Sequence, residues 1–387
     1  MSVVDDGAAI AYLRSPAAIR TRCEQIFTAG LASKLAHFTI ELAALPRIVD
    51  RVVAVTRATY PTLAIPPFGC TNHLRAGGID RMATFVTRLA ALANDDQARA
   101  WIDLVVLVSL LGATAGDTWR YREAASGLVI GRSEGLALAV LHAFEAGVFS
   151  ADPAQPLRAD ADALRTLDRA RLADAFQVTP DNPLPGFDGR CELVRALGAA
   201  VTAAPHIFQG GRPGGLLDAL GVPEETTRRD TDATWPHRLI PAIEAPAIMH
   251  ALLEGLAPIW PRRLAIGSTN LGDVWKHSAA GGIGLAAGHV PLHGLTQSLA
   301  YSLLEPLERA GYTLARTDAL TGIPDHRNGG LLVDLGLLVP RYLEVREITH
   351  LPGDEVVVEW RALTVAALDR VADGVRVALG KRATELP

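Results

Sequence analysis

The chain has 387 residues, 49% of them apolar, and a formal net charge of −5, with a pI near 6.1 and a mean hydropathy of +0.20. That is enough apolar material for a sizeable core in one large or two ordinary domains, and it excludes a disordered chain. The acidic balance lacks the basic footprint of a nucleic-acid binder. The three scattered cysteines, Cys23, Cys70 and Cys191, show neither a disulfide framework nor a metal-type spacing.

The N-terminal stretch is acidic early and has no basic region followed by an apolar run, so no secretory signal is expected. No run of about 18 uninterrupted apolar residues occurs, so no membrane span is expected either. With the cysteine usage, this reads as a cytoplasmic protein.

The N-terminal third reads as helix. Ser15 and Pro16 form an N-cap and first-turn pair. Apolar residues from Ile48 to Val55 recur near a 3.6 period, which predicts a helix over 46–58 that begins at Pro46. Further helices are predicted over 80–94, 97–113 and 134–146. Residues 150–185 are rich in Asp, Ala and Pro and mark a connection, with a short charged helix over 160–175. Helices follow over 191–204, 247–256, 296–310 and 362–379. The strand expectations are 342–348 and 355–358, the latter from its β-branched run. The sum is a mainly α, multi-helix globular fold with minor β. The expected layout is an N-terminal helical region (1–150), the connection (151–189) and a C-terminal helical catalytic region (190–387).

Three dense polar clusters could carry chemistry. In the segment 320–330, Asp325, His326, Arg327 and Asn328 follow Pro324 and precede Gly329 and Gly330. An acid, an imidazole, a fixed cation and an amide therefore share one rigid loop beside an apolar run, where functional groups concentrate. The equally balanced alternative is a helix cap, with Asp325 accepting backbone N–H groups. In the segment 272–277, Asp273, Trp275, Lys276 and His277 could hold hydroxyls, a planar ring and a phosphate, or form an ordinary helix start. On the predicted helix over 296–310, Gln297, Tyr301 and Glu305 share a face that begins beside His293. Glu359 and Arg361 flank Trp360 and read as a buried ion pair or as a surface pair at a strand end. The glycine-rich run 210–215 lacks the spacing of a nucleotide loop. No metal or cofactor is expected.

These segments together carry a resemblance. The runs 12–20, 77–81, 210–218, 271–277, 301–307, 320–330 and 358–365 are similar to those of the uracil-catabolism Urc-four (Urg-three) family, over nearly the whole chain. The order of Gln297, Asp325-His326-Arg327 and Glu359-Trp360-Arg361 is also similar, more distantly, to that of the queuosine-nucleotide N-glycosidases of queuine salvage. That second likeness implies a helical core akin to DNA glycosylases and a loop aspartate that acts in N-glycosidic hydrolysis. Departures occur too. Gly294 stands where the first family usually carries a lysine, and Gly69-Cys70-Thr71-Asn72 replaces a run with two cations and a tryptophan. Asp325 replaces a common glutamate. These losses imply either a divergent paralogue with an altered or unphosphorylated substrate or an inactive relative.

The reading these features support is hydrolysis of the N-ribosyl bond of a ribosyl-urea or related nucleoside in uracil catabolism. Its catalytic candidates are Asp325, His326 and His293. The substrate-binding candidates are Asp273, Trp275, Lys276, His277, Gln297, Tyr301, Arg327 and Asn328, with Glu359 and Arg361 in support. The expected partner is the small-molecule substrate alone, with no nucleic acid and no membrane. The alternatives are an amidohydrolase acting on a pyrimidine-derived ureide and a non-catalytic nucleoside-binding accessory protein.

Overall fold

The computed structural model describes residues 3–112, 114–220, 242–260 and 264–386, with side chains from residue 6 onward. The fold is mainly α, as expected. Its strands are two or three residues long and form five two-stranded pairs among the described residues. Two compact units arise, and both are discontinuous in sequence. One comprises Met1–Pro66, Trp260–Gln297 and Arg316–Pro387; the other comprises Pro67–Ile259 and Ser298–Ala315.

The first unit is organised by the C-terminal helix, Glu355–Leu379. Helices Pro16–Leu31 and Leu45–Thr59 both pack on it. The first of these opens as its sequence predicts. The Ser15 hydroxyl accepts the Ala18 N–H at 3.1 Å, and Pro16 has no N–H to leave unsatisfied. Its inward face, Ala18, Ile19, Cys23, Ile26 and Phe27, is fully buried. Bidentate Arg370–Glu24 and Arg20–Asp369 contacts tie its outer edge to the C-terminal helix. Helix Leu45–Thr59 approaches closely because residue 374 is glycine: a Cβ there would stand 2.6 Å from Val49. Three antiparallel pairs complete the unit, Phe38–Ile40 with Leu338–Pro340, Ala265–Ile266 with Thr269–Asn270 and Val274–Lys276 with His289–Pro291.

The structure corrects both strand expectations. Residues 355–358 form the first turn of the 25-residue C-terminal helix, and 342–348 contains the short helix Glu344–Glu347. The Val356-Val357-Val358 run misleads because β-branching costs a helix only a fraction of a kcal/mol per residue. Burial of Val356 and Val358 in the core outweighs that cost.

In the second unit, helix Asn94–Leu111 is buried along nearly its whole length and packs against Arg132–Glu145 and Phe187–Ala203. Predicted helices 80–94 and 97–113 appear as Arg81–Leu89 and Asn94–Leu111; residue 113 lies outside the described residues. The span 160–175 splits into Ala161–Arg165 and Arg169–Ala175. Asp103 sits inside the buried helix with no exposure. Its carboxylate accepts from Arg212 Nε at 2.8 Å, Gly214 N–H at 2.6 Å and Ala159 N–H at 3.0 Å. The glycines that follow Arg212 in this run are thus packing positions. Cβ atoms at Gly214 and Gly215 would collide with the backbone of Arg99 and Gln209. No helix among the described residues is long and apolar enough to cross a membrane.

Breaking a buried pair leaves an uncompensated charge. Asp103→Asn, which strands the Arg212 guanidinium, should therefore destabilise the protein by about 3–5 kcal/mol in urea unfolding.

Candidate functional site

The polar clusters meet in the first unit around Arg361. This residue lies in the second turn of the C-terminal helix, and its guanidinium grips Asp273 with Nη1 and Nη2 at 2.9 and 2.7 Å. Its Nε donates to the Pro324 carbonyl at 3.4 Å. The Gly294 N–H donates to Asp273 at 3.0 Å, and the Trp275 indole N–H does so at 2.6 Å. Segments far apart in the chain, around residues 273, 294, 324 and 361, thereby converge on one ion pair.

This geometry alters the role of Asp273. Two guanidinium N–H groups, one backbone N–H and one indole N–H occupy the acceptor sites of its carboxylate, which leaves little for the hydroxyls of a ligand. Asp273 is a scaffold for the site and not a ribose binder. Burial alone would raise its carboxyl, but the hydrogen bonds and charge of Arg361, with the Gly294 and Trp275 donors, hold it well below the ordinary carboxylate range. Trp275 likewise has its N–H engaged and its ring packed against Gly353, where a Cβ would lie 2.6 Å away.

Glu359 and Arg361 do not pair with each other, contrary to the sequence reading. Glu359 is fully buried and accepts the His37 and Phe38 N–H groups at 3.1 and 2.8 Å. The Ala279 N–H donates to His277 Nδ1 at 3.0 Å. That fixes the proton on Nε2, which donates to Glu359 at 3.3 Å. The dyad secures strand Phe38–Ile40 beneath the site.

Gln297 also has no exposure. Its carbonyl oxygen accepts from the Thr321 N–H and hydroxyl at 2.9 and 3.0 Å, and its amide donates to the Leu292 carbonyl at 3.2 Å. It anchors the start of the segment 320–330 and presents no group to a ligand. His293 has φ +42° and is buried, with Nε2 donating to the Leu13 carbonyl at 2.9 Å. Burial pushes its imidazole below the usual range and keeps it neutral. An enclosed neutral imidazole cannot protonate a leaving group, so the structure corrects its assignment as a catalytic acid. Tyr301 belongs to the other unit, where its ring meets Phe68 edge-on with centroids 5.9 Å apart.

The loop acid is a helix cap. Asp325 precedes helix His326–Asp334 and accepts the Asn328 N–H at 2.8 Å, while the Asn328 amide donates to the Ile323 carbonyl at 2.9 Å. Capping does not remove the carboxylate from use: Asp325 is half-buried, and His326, Arg327 and Lys276 are exposed. A cavity of ≈ 600 Å³ lies in the same unit, with Trp360, Arg361, Phe38, Val357, Arg346 and His350 among its lining; Asp325 and His326 are not among the residues that line it. Gly330 and Asp334, spaced by four, face that cavity. His326 lies one turn before Gly330 on the same helix face. Trp360, Arg346 and His350 were not singled out by the sequence reading. Trp360 carried a signal, since it sits between Glu359 and Arg361; Arg346 and His350 carried none. The Trp360 indole N–H is enclosed with no partner among the described residues, and its ring lies on Gly329, where a Cβ would stand 2.6 Å away.

Residues 12–387 match the profile of a family described as a protein of unknown function, DUF1688. The chain is 33% identical to "Uracil catabolism protein 4" of Lachancea kluyveri, over 93% of this chain and 87% of that protein. It is 32% identical to "Protein urg3" of Schizosaccharomyces pombe, over 94% of this chain and 85% of that protein. The resemblance to the uracil-catabolism Urc-four (Urg-three) family is thereby borne out.

Asp273 and His293 both have folded-state values below their ordinary ones. The unfolded chain therefore binds more protons than the folded one as pH falls, and stability falls with it. The His293 contribution sets in below about pH 6.5 and the Asp273 contribution below about pH 3.9. In thermal unfolding against pH, His293→Asn should flatten the upper part of the slope and leave the lower part in place.

Proposed function

The chain belongs to the DUF1688 family, and from that premise we propose that it acts in uracil catabolism as a hydrolase of an N-ribosyl bond, with ribosyl-urea or a related nucleoside as substrate. The observation that carries this reading is the convergence on Arg361. The loop bearing Asp325 is braced, through Pro324, against the Arg361–Asp273 pair at the side of a cavity of small-molecule size.

Cleavage of a C1′–N bond builds positive charge on the sugar as the bond to nitrogen breaks. A carboxylate beside that carbon stabilises the charge and takes a proton from the attacking water. Asp325 supplies this carboxylate. The leaving nitrogen needs a proton, and His326, one turn before the cavity-lining Gly330 on the same helix, supplies it. Water's oxygen ends on C1′, and the products are ribose and urea. Trp360 and Phe38 offer apolar walls, and the exposed Arg346 guanidinium offers a cation to a carbonyl or phosphate oxygen.

Asp325→Asn separates chemistry from folding, because asparagine caps a helix as well as aspartate does. The variant should keep the wild-type melting temperature and lose about 10²–10⁴-fold in kcat. Products from ribosyl-urea, its phosphate, uridine and uridine monophosphate are read by mass spectrometry. Ribose or ribose phosphate released by the wild type supports the proposal. Ammonia release with the ribosyl bond intact would replace it with an amidohydrolase. Binding without turnover, unchanged in Asp325→Asn, would replace it with a nucleoside-binding role.

A further inference from the structure

Arg22 is a buried cation without a counter-charge. It lies on helix Pro16–Leu31 and is 3% exposed. Its Nη1 donates to Gln25 Oε1 at 3.2 Å and its Nη2 to the Ala286 carbonyl at 3.1 Å. Both acceptors are neutral. Its Nε–H is enclosed with no partner, and no carboxylate pairs with it among the described residues. The Tyr12 ring centroid lies 5.4 Å from the guanidinium carbon, which offers the charge only a weak quadrupole. His289, also buried, is held below the usual imidazole range by burial, Lys276 and Arg22, so it adds no second positive charge beside the guanidinium. A guanidinium placed in the interior opposite neutral groups alone is unfavourable. Three other arginines that tie this unit together, Arg20, Arg361 and Arg370, each have a carboxylate.

A cavity of ≈ 370 Å³ opens at this cation, lined by Tyr12, Arg22, Gln25, Gly282, Leu285 and Ala286 among others. Gly282 takes φ +108° and lies flat on the guanidinium; a Cβ there would come within 2.1 Å of Nη2. The glycine thus leaves the face of the cation clear of side chain. The Gly281 N–H donates to Gln25 Oε1 at 3.0 Å, so that one oxygen joins the loop to the helix.

We infer that this cavity binds an oxyanion, a phosphate or a carboxylate of a small molecule, with Arg22 as its counter-charge. The site is separate from the loop of Asp325 and uses none of its residues.

The test exploits the single neutral oxygen beside the cation. Gln25→Glu keeps the side-chain shape and can still accept from Arg22 and from the Gly281 N–H, but it places a built-in carboxylate where the ligand's charge is needed. Calorimetric titration of the full chain with inorganic phosphate, and separately with acetate, should give saturable binding of about 1 mM or tighter for one of the two. The anion that binds identifies the chemistry. Gln25→Glu and Arg22→Gln should each weaken that binding at least about tenfold, and Gln25→Glu should raise the melting temperature in anion-free buffer. Absence of saturable heat with either anion, or wild-type binding by Gln25→Glu, would overturn the inference. Should Arg22→Gln fail to fold, the Gln25→Glu comparison decides alone.

Discussion

The Arg361–Asp273 pair is the interaction on which the candidate site depends. A guanidinium is planar and presents parallel N–H groups, so a bidentate grip fixes orientation as well as distance. Here one plane is held by Asp273, and the remaining Nε–H reaches the Pro324 carbonyl. The pair is largely shielded, with side-chain exposures of 18% and 20%. In such surroundings the attraction is much less screened than at an open surface, yet desolvation offsets much of it. Its contribution is therefore better seen as alignment than as stability. It sets the C-terminal helix, strand Val274–Lys276, the start of the helix after His293 and the loop of Asp325 in one register.

Around that pair, the buried polar groups divide the work by saturation. Asp273, Glu359, Gln297 and His277 have their hydrogen-bonding positions taken up by backbone and by one another. Groups in that state hold geometry and have little capacity left for a ligand. Asp325, His326, Arg346 and Lys276 retain exposed surface. A site built this way has a rigid interior and an adaptable rim, the arrangement that positions reacting groups within a fraction of an ångström.

The sequence disclosed the helices well, because their signals are local: Ser15-Pro16, the period from Ile48 to Val55, and the long buried run Trp101–Leu111. It also picked the motifs that converge on Arg361. It misjudged the roles of several residues within them, for a physical reason. Composition shows that a group can donate or accept, but not whether neighbours have already satisfied it. Asp273 and Gln297 looked like ligand binders because four donors and a buried threonine, supplied from other segments, are invisible along the chain. Glu359 and Arg361 looked like partners because they are two apart, yet on a helix such positions point away from each other. The strand expectation at 355–358 failed for a related reason: the packing that makes a helix of three valines comes from residues over 300 positions away. Arg346 and His350 had no local signal at all.

The glycine at 294 ties the sequence departures to the geometry. Its N–H is a donor to Asp273, and a Cβ added to it would lie 3.5 Å from Arg361 Nη2 and from Pro324. That is ordinary contact distance, so a side chain fits there and would lie over the ion pair beside the loop of Asp325. A lysine at this position would bring a second cation against Arg361, compete for Asp273 and extend a charge toward the reacting loop. With glycine there, Asp273 is held by Arg361 together with the Gly294 and Trp275 N–H groups. The positive charge nearest the cavity is then that of Arg346 at the rim, and Arg361 is already neutralised. On the proposed reading, a substrate in this cavity would meet apolar walls and the Arg346 guanidinium, an arrangement better matched to a neutral ribosyl compound than to a dianionic phosphate, which calls for more than one unpaired cation to replace its lost hydration.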